Sequence, residues 1–139
     1  MGGLWAADGL WIDQSKHILY VGELFNARLW AYDLTTGQAV GFSSGLNSGW
    51  LDDFTLSPDD THVYGANYKE GTIDLFPLQA TSPQARSIAQ GLTNPTSARF
   101  GVGPGFAATS LFVSEGGGLL PVQKDRRVWE LLNVVSQPQ

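Results

Sequence analysis

Asp8-Gly9-Leu10-Trp11-Ile12-Asp13 runs into a polar turn over residues 14–17 and then into Ile18-Leu19-Tyr20-Val21-Gly22-Glu23. Forty-four residues later the same phrase returns. Asp52-Asp53-Phe54-Thr55-Leu56-Ser57 passes through Pro58-Asp59-Asp60 into His62-Val63-Tyr64-Gly65-Ala66-Asn67. Tyr20 falls on Tyr64, Glu23 on Asn67, Tyr32 on Phe76 and Leu34 on Leu78, all at one offset. A third copy opens at Thr96-Ser97-Ala98-Arg99-Phe100. A Gly/Pro-rich insertion over 102–109 lengthens its interval, Tyr64 to Phe112, to 48 residues before Leu111-Phe112-Val113-Ser114-Glu115.

Each copy is a series of short apolar runs rich in β-formers, punctuated by turn clusters. The runs predict strands near 9–13, 18–22, 28–33 and 39–43, then near 53–57, 62–66, 72–76 and 85–89, then near 96–100, 111–114 and 127–131. A repeat of about 40–50 residues holding four strands is the signature of a β-propeller blade. A β-sandwich also has evenly spaced short strands, but it does not require one register to persist across all of them. The expectation is an all-β partial propeller with blades at about 8–50, 51–94 and 95–135, the last lacking its outer strand. Closed propellers have about four to eight blades. Three blades therefore imply the C-terminal half of a longer chain, whose N-terminal half completes the ring, or two copies that complete it as a homodimer.

Composition narrows the function classes. Hydrophobic residues make up 42% of the 139 residues and charged residues 15%, which suits a packed core rather than disorder. A formal charge of −5 argues against non-specific nucleic-acid binding, which needs a basic face. There is no cysteine, so neither a disulfide framework nor a thiolate metal site is available. Neither a signal-peptide pattern nor a run of eighteen apolar residues is present, so no membrane partner is expected and the compartment is left open. The expected partner is a small-molecule substrate.

Strand geometry then selects candidate residues. In a blade the start of the innermost strand and the end of the antiparallel second strand share one rim of the channel. Asp8, Asp52 and Thr96 take the first of these positions, and Glu23, Asn67 and Glu115 take the second. Oxygen donors of this kind suit a hard cation such as Ca²⁺. Loop polarity is the plainer account, and for Asp13, Asp59 and Asp60 at the opposite rim it is the one adopted. Glu115, beside Gly116-Gly117-Gly118, is a candidate base, or else a solvated carboxylate next to a turn. Arg99, a cation within an innermost strand, could polarise a substrate carbonyl or pair with Asp52 or Glu115. Trp50 is a candidate pocket wall. His17 and His62 fall away from this rim, so no Ser-His-Asp set forms there.

The phrases Asp8-Gly9-Leu10-Trp11-Ile12-Asp13 and Leu56-Ser57-Pro58-Asp59, with the second strand Tyr20-Val21-Gly22-Glu23, resemble SMP-30/gluconolactonase-like propellers. Asn94-Pro95-Thr96-Ser97 and Leu111-Phe112-Val113-Ser114-Glu115-Gly116-Gly117-Gly118 look most like fungal members of that superfamily. The resemblance implies a six-bladed ring with a divalent cation, usually calcium, near the channel mouth and a lactone- or ester-hydrolase activity. On that pattern Asp8 and Asp52 stand at the blade position where the superfamily places metal ligands; Asn67 and Glu23, on the same rim, complete the candidate metal set, and Glu115 and Arg99 are the candidate catalytic residues. Two alternatives stand beside it: a fungal tailoring enzyme of pericyclase type that needs no metal, and a non-catalytic binding scaffold or truncated fragment.

Overall fold

The computed structural model describes residues 4–43, 49–78, 85–117 and 126–134. Gly118 and residue 135, which the sequence reading assigned to a turn and to the end of the third blade, lie outside them. Three antiparallel sheets are present. The first holds β1 (Ala7–Asp13), β2 (Ile18–Glu23), β3 (Arg28–Asp33) and β4 (Ala39–Ser43) in that spatial order. The second repeats it with β5 (Leu51–Leu56), β6 (His62–Asn67), β7 (Thr72–Pro77) and β8 (Arg86–Ala89). The third has β9 (Pro95–Phe100), β10 (Leu111–Glu115) and β11 (Val128–Leu131), and no fourth strand among the described residues. The first strands adjoin: β5 packs against β1 on one side and β9 on the other. This is the blade arrangement of a partial propeller, as the 44-residue register required. No helix is long and apolar enough to cross a membrane.

Two apolar clusters fill the spaces between sheets. Tyr20 and Leu29 of the first sheet meet Phe54, Leu56, Val63 and Phe76 of the second. Tyr64, Ala66, Ile73 and Leu75, on the other face of the second sheet, meet Ala98, Leu111 and Val113 of the third. The middle sheet is therefore covered on both faces, and β6 and β7 are buried almost without interruption. Strand β10, with one face covered, keeps the alternation of a half-buried strand. Burying one such Phe or Leu contributes roughly 1.5–3 kcal/mol.

A polar clamp repeats beside each first strand. The Glu23 carboxylate accepts a hydrogen bond from the Trp5 amide at 2.8 Å, Asn67 Oδ1 one from the Trp50 amide at 3.0 Å, and the Glu115 carboxylate one from the Thr93 amide. In each blade the end of the second strand thus captures an amide of the segment leading into the first. The chain turns sharply at these points, with positive φ at Ala6, Gly49 and Asn94. Gly49 has φ +144°, and a Cβ there would overlap the Asn67 amide, so glycine is required. In the second blade the clamp extends inward. Asn67 Nδ2 donates to Asp74 at 2.9 Å, and Asp74 also accepts from Thr72 Oγ1 and Ser87 Oγ. Asp74 is fully buried, and three donors satisfy a charge that would be costly alone.

The opposite rim is held by turn carboxylates, as expected for Asp13, Asp59 and Asp60. Asp59 accepts from Ser57 Oγ and from Thr61. Asp13 accepts from Ser15 Oγ and the Lys16 amide, and Lys16 Nζ bridges Asp13 at 3.0 Å and Asp60 of the next blade at 3.2 Å. The Ser15 hydrogen bond, aided by Lys16, holds the Asp13 carboxyl down to about 2.

Two outcomes follow from these polar contacts. Asn67→Ala strips the Trp50 amide of its acceptor and Asp74 of a donor, and should lower unfolding stability by about 2–4 kcal/mol in urea titrations. The folded-state pKa of Asp13 is depressed, so its contribution is present above the ordinary carboxylate range and lost as pH falls from about 4 towards 2. The stability difference between the natural chain and Asp13→Asn should therefore shrink across that window in acid-titrated melts.

Candidate functional site

The ladder between β1 and β2 pairs Ala7 with Glu23 and then jumps to Leu10 with Val21. The ladder between β5 and β6 makes the same jump, from Leu51–Asn67 to Phe54–Gly65. The two bulges sit 44 residues apart. A bulge frees residues from the ladder and re-aims their side chains. The residues freed are Asp8-Gly9 and Asp52-Asp53, the opening residues of the repeated phrase.

Asp8 is exposed, and Asp52 and Asp53 are half-buried. Desolvation pushes the Asp52 carboxyl up to about 6, and the nearby Asp8 and Asp53 carboxylates add to the effect. A like charge close by disfavours ionisation, and that is how the two first-position acids sense each other. Asp8 and Asp52 are thus brought together on one rim, as the strand geometry anticipated.

Asp53 turns the other way. Its Oδ2 accepts from Ser97 Oγ at 2.9 Å and pairs with Arg99 Nη2 at 2.9 Å. Arg99 also donates to the Phe54 carbonyl at 2.6 Å and the Ala98 carbonyl at 2.7 Å, and its guanidinium lies 5.8 Å from the centre of the Trp11 ring. One side chain of β9 therefore touches all three blades. The carboxylate partner expected for Arg99 is present, but it is Asp53 rather than Asp52 or Glu115.

The second-strand residues share the rim but not the opening. Glu23, Asn67 and Glu115 are buried, at 2%, 0% and 6% exposure, because their oxygens hold the clamps described above. Glu115, the candidate base, closes on the Thr93 amide instead of facing solvent. Glu23 Oε2 finds no donor among the described residues. Thr96 Oγ1 bonds to Ser114 Oγ at 3.0 Å. Among the described residues no group of three or more His, Cys, Asp and Glu side chains is placed to hold a metal ion. Calcium takes about six to eight oxygens, and among the described residues the first-strand carboxylates left outside the clamps and ion pairs are Asp8 and Asp52. The residues described do not by themselves make a cation site.

Sequence reasoning missed three features. Asp53 was passed over although it lies 44 residues before Ser97, its partner at the equivalent position of the next blade. A row of aromatic rings was also missed. Trp5 meets Phe25 at 5.6 Å, Phe25 meets Trp50 at 5.5 Å, and Trp50 stacks on Tyr68 at 6.0 Å. All four rings belong to segments that lead into a first strand or leave a second strand, so they line the rim of Asp8 and Asp52. Only Trp50 was foreseen, from its place two residues before Asp52. The third feature is a cavity of about 350 Å³ towards the opposite rim, lined among others by Trp11, Thr55, Ser57, Arg99 and Phe100.

No protein-family model matches the chain, and no curated protein matches it. Solved structures do. Hydrazine synthase of Kuenenia stuttgartiensis superposes with a TM-score of 0.71 at 17% identity, over 94% of this chain and 34% of that one. The β-propeller domain of Cps50 (Swd1) from Myceliophteria thermophila gives 0.65 at 11% identity, over 94% and 38%. A luciferin-regenerating enzyme gives 0.63 at 18% identity, over 94% and 46%. The chain thus spans between a third and a half of the structures it is similar to. At these identities the likeness concerns the fold, and that fold is the β-propeller.

Proposed function

We propose that this chain forms part of the rim of a propeller active site that hydrolyses a lactone or ester of a small molecule, with Asp52 as the base that activates water. One observation carries the reading: a bulge presents the Asp52 carboxyl at the channel rim beside Asp8, in surroundings that raise its pKa to about 6. A general base works best when its pKa lies near the working pH. At neutral pH Asp52 is largely ionised and still basic enough to take a proton from water. That water, left with a free lone pair, attacks the carbonyl carbon, and the protonated Asp52 can return the proton to the departing alkoxide. Asp8 keeps Asp52 basic by its negative charge. Arg99, held by Asp53 and two backbone carbonyls, acts as a positioning residue for the strand that carries Asp53.

The aromatic row from Trp5 to Tyr68 suits a substrate with an apolar body laid beside the acids. The resemblance of the repeated phrases to SMP-30/gluconolactonase-like propellers points to the same reaction class, and the luciferin-regenerating enzyme is an enzyme on the same fold. A divalent cation, if joined by Asp8 and Asp52 to donors outside the described residues, would add carbonyl polarisation. Water activation by Asp52 does not pass through such an ion.

Two measurements test this reading. In a screen of small lactones and aryl esters, Asp52→Asn should lower kcat/KM by about 100-fold or more, and the pH–rate profile should show an ascending limb near 6 that moves down in Asp8→Asn. An unaltered rate in Asp52→Asn rules the base out. The second readout needs no substrate. A carboxyl with a raised folded-state pKa is tolerated while neutral, so its adverse effect on stability grows as pH rises from about 4 through 6. Asp52→Asn should raise Tm by a few degrees at pH 7.5 and leave it unchanged at pH 4.

A further inference from the structure

The cavity towards the opposite rim has a wall that only the third blade supplies. In the first two blades, short turns over 14–17 and 57–61 join the first strand to the second. In the third the connection runs from 101 to 110, because it holds the Gly/Pro-rich insertion. This longer loop folds back on itself. The Gly101 amide donates to the Ser110 carbonyl at 3.0 Å, and the Ser110 amide to the Ala107 carbonyl at 2.9 Å. A Cβ at Gly101 would lie 2.8 Å from the Ala107 carbonyl oxygen, so the closure requires glycine. Phe106 anchors the loop outward, edge-on against Phe112 at 5.4 Å. Held this way, the loop presents Val102 and Ala108 to the cavity.

The facing walls come from one level of the repeat. Trp11, Thr55 and Arg99 stand at successive offsets of 44 residues in the three innermost strands, and all three line the cavity. Arg99 has hydrogen-bonding capacity to spare. A guanidinium carries five N–H donors. Nη1 serves the Phe54 and Ala98 carbonyls and Nη2 serves Asp53, which leaves Nε–H and a second Nη2 proton without an acceptor among the described residues. Asp53 matches the charge through Oδ2 alone and shares that oxygen with Ser97 Oγ, while its Oδ1 accepts from the Phe54 amide at 2.8 Å. The Arg99 side chain is 47% exposed, so its remaining donors are within reach of a ligand. Asp60, the carboxylate that lines the cavity, is already paired with Lys16 at 3.2 Å.

We propose that this cavity is a ligand site in its own right, separate from the Asp8–Asp52 rim, and that it takes a small carboxylic acid with a flat apolar body. The carboxylate accepts from the spare donors of Arg99, a charge-assisted contact that a neutral acceptor does not match. The flat body lies against the half-buried Trp11 ring and the apolar side chains of Leu56, Phe100 and Val102. A volume of about 350 Å³ is at the lower end of small-molecule sites, which suits one or two fused rings rather than a peptide. Charge favours a monoanion. A phosphate dianion would set two charges against one guanidinium that already has Asp53 beside it. This site does not depend on hydrolysis at Asp52.

Naphthoate is a suitable probe, with naphthamide as the same body without the charge. In amide NMR titrations of the 139-residue chain, naphthoate should shift Thr55, Ser57, Gly101 and Val102 with a Kd of about 1 mM or tighter. Naphthamide should bind about tenfold more weakly, and Arg99→Gln should weaken naphthoate by about the same factor. Because Arg99→Gln also strips Asp53 of its partner, a second variant guards against loss of fold. Ala108 is exposed and takes part in none of the loop hydrogen bonds above, so Ala108→Trp should keep the melting temperature while its ring fills the cavity and abolishes the shifts. No shift at several millimolar naphthoate overturns the proposal, as do equal affinities for acid and amide. Shifts confined to the Asp8–Asp52 rim, or an unchanged Kd in Ala108→Trp, refute it equally.

Discussion

A side chain at the end of each second strand reaches across to hold one backbone amide just before the first strand, and the channel end of the molecule is arranged around that contact. Glu23, Asn67 and Glu115 are all buried, and each does the same job, two with a carboxylate and one with an amide oxygen. The captured amides are part-buried, and a donor left unsatisfied in a fully buried site would cost about 1–3 kcal/mol. The contact also fixes where the chain reverses, and hence where the first-strand bulge begins. The candidate chemistry depends on this. Without a fixed start to β5, the Asp52 and Asp53 side chains could not part company, one towards Asp8 and the other towards Arg99.

Much of the fold was legible because a propeller writes itself out repeatedly. Each of the eleven strands falls within two residues of where the apolar runs put it, and the one lengthened interval marks a real loop over 101–110. The site was less legible, for a reason that the clamp makes plain. A polar residue at a strand end reads the same whether it faces a ligand or the backbone of its own chain. Asp8 and Asp52 were expected on one rim, and the Asp8 carboxylate is near enough to act on the Asp52 carboxyl. Glu23, Asn67 and Glu115 were grouped with them by position, but their hydrogen bonds lead inward. What separates the two groups is the bulge, and bulges leave no mark in a single sequence beyond the short, polar Asp8-Gly9 and Asp52-Asp53 pairs. The aromatic row was hidden differently, since Trp5, Phe25, Trp50 and Tyr68 follow no common offset.

Arg99 illustrates how one residue can carry both readings. A cation in an innermost strand invites a catalytic role, but its donors are committed to Asp53 and to two carbonyls, with Trp11 beneath. Coulombic pairing of this kind adds little at an open surface and more where water is partly excluded. Here it ties three blades through one guanidinium and leaves the less comfortable carboxylate, Asp52, beside Asp8. Functional groups are often the ones a fold holds at a disadvantage, and Asp52 fits that pattern better than any other titratable group on the rim.

The two-sided coverage of the middle blade has a consequence for how the molecule opens. Repeat architectures gain stability from their junctions, and among the described residues the second blade takes part in both. Backbone amides in β6 and β7 should therefore exchange with solvent only through near-global unfolding, while those in β3, β4 and β11 exchange through cheaper local openings. Any opening of the first junction separates the rim acids that straddle it, Asp8 on one blade and Asp52 on the next, so the raised Asp52 carboxyl also reports whether those two blades are in contact.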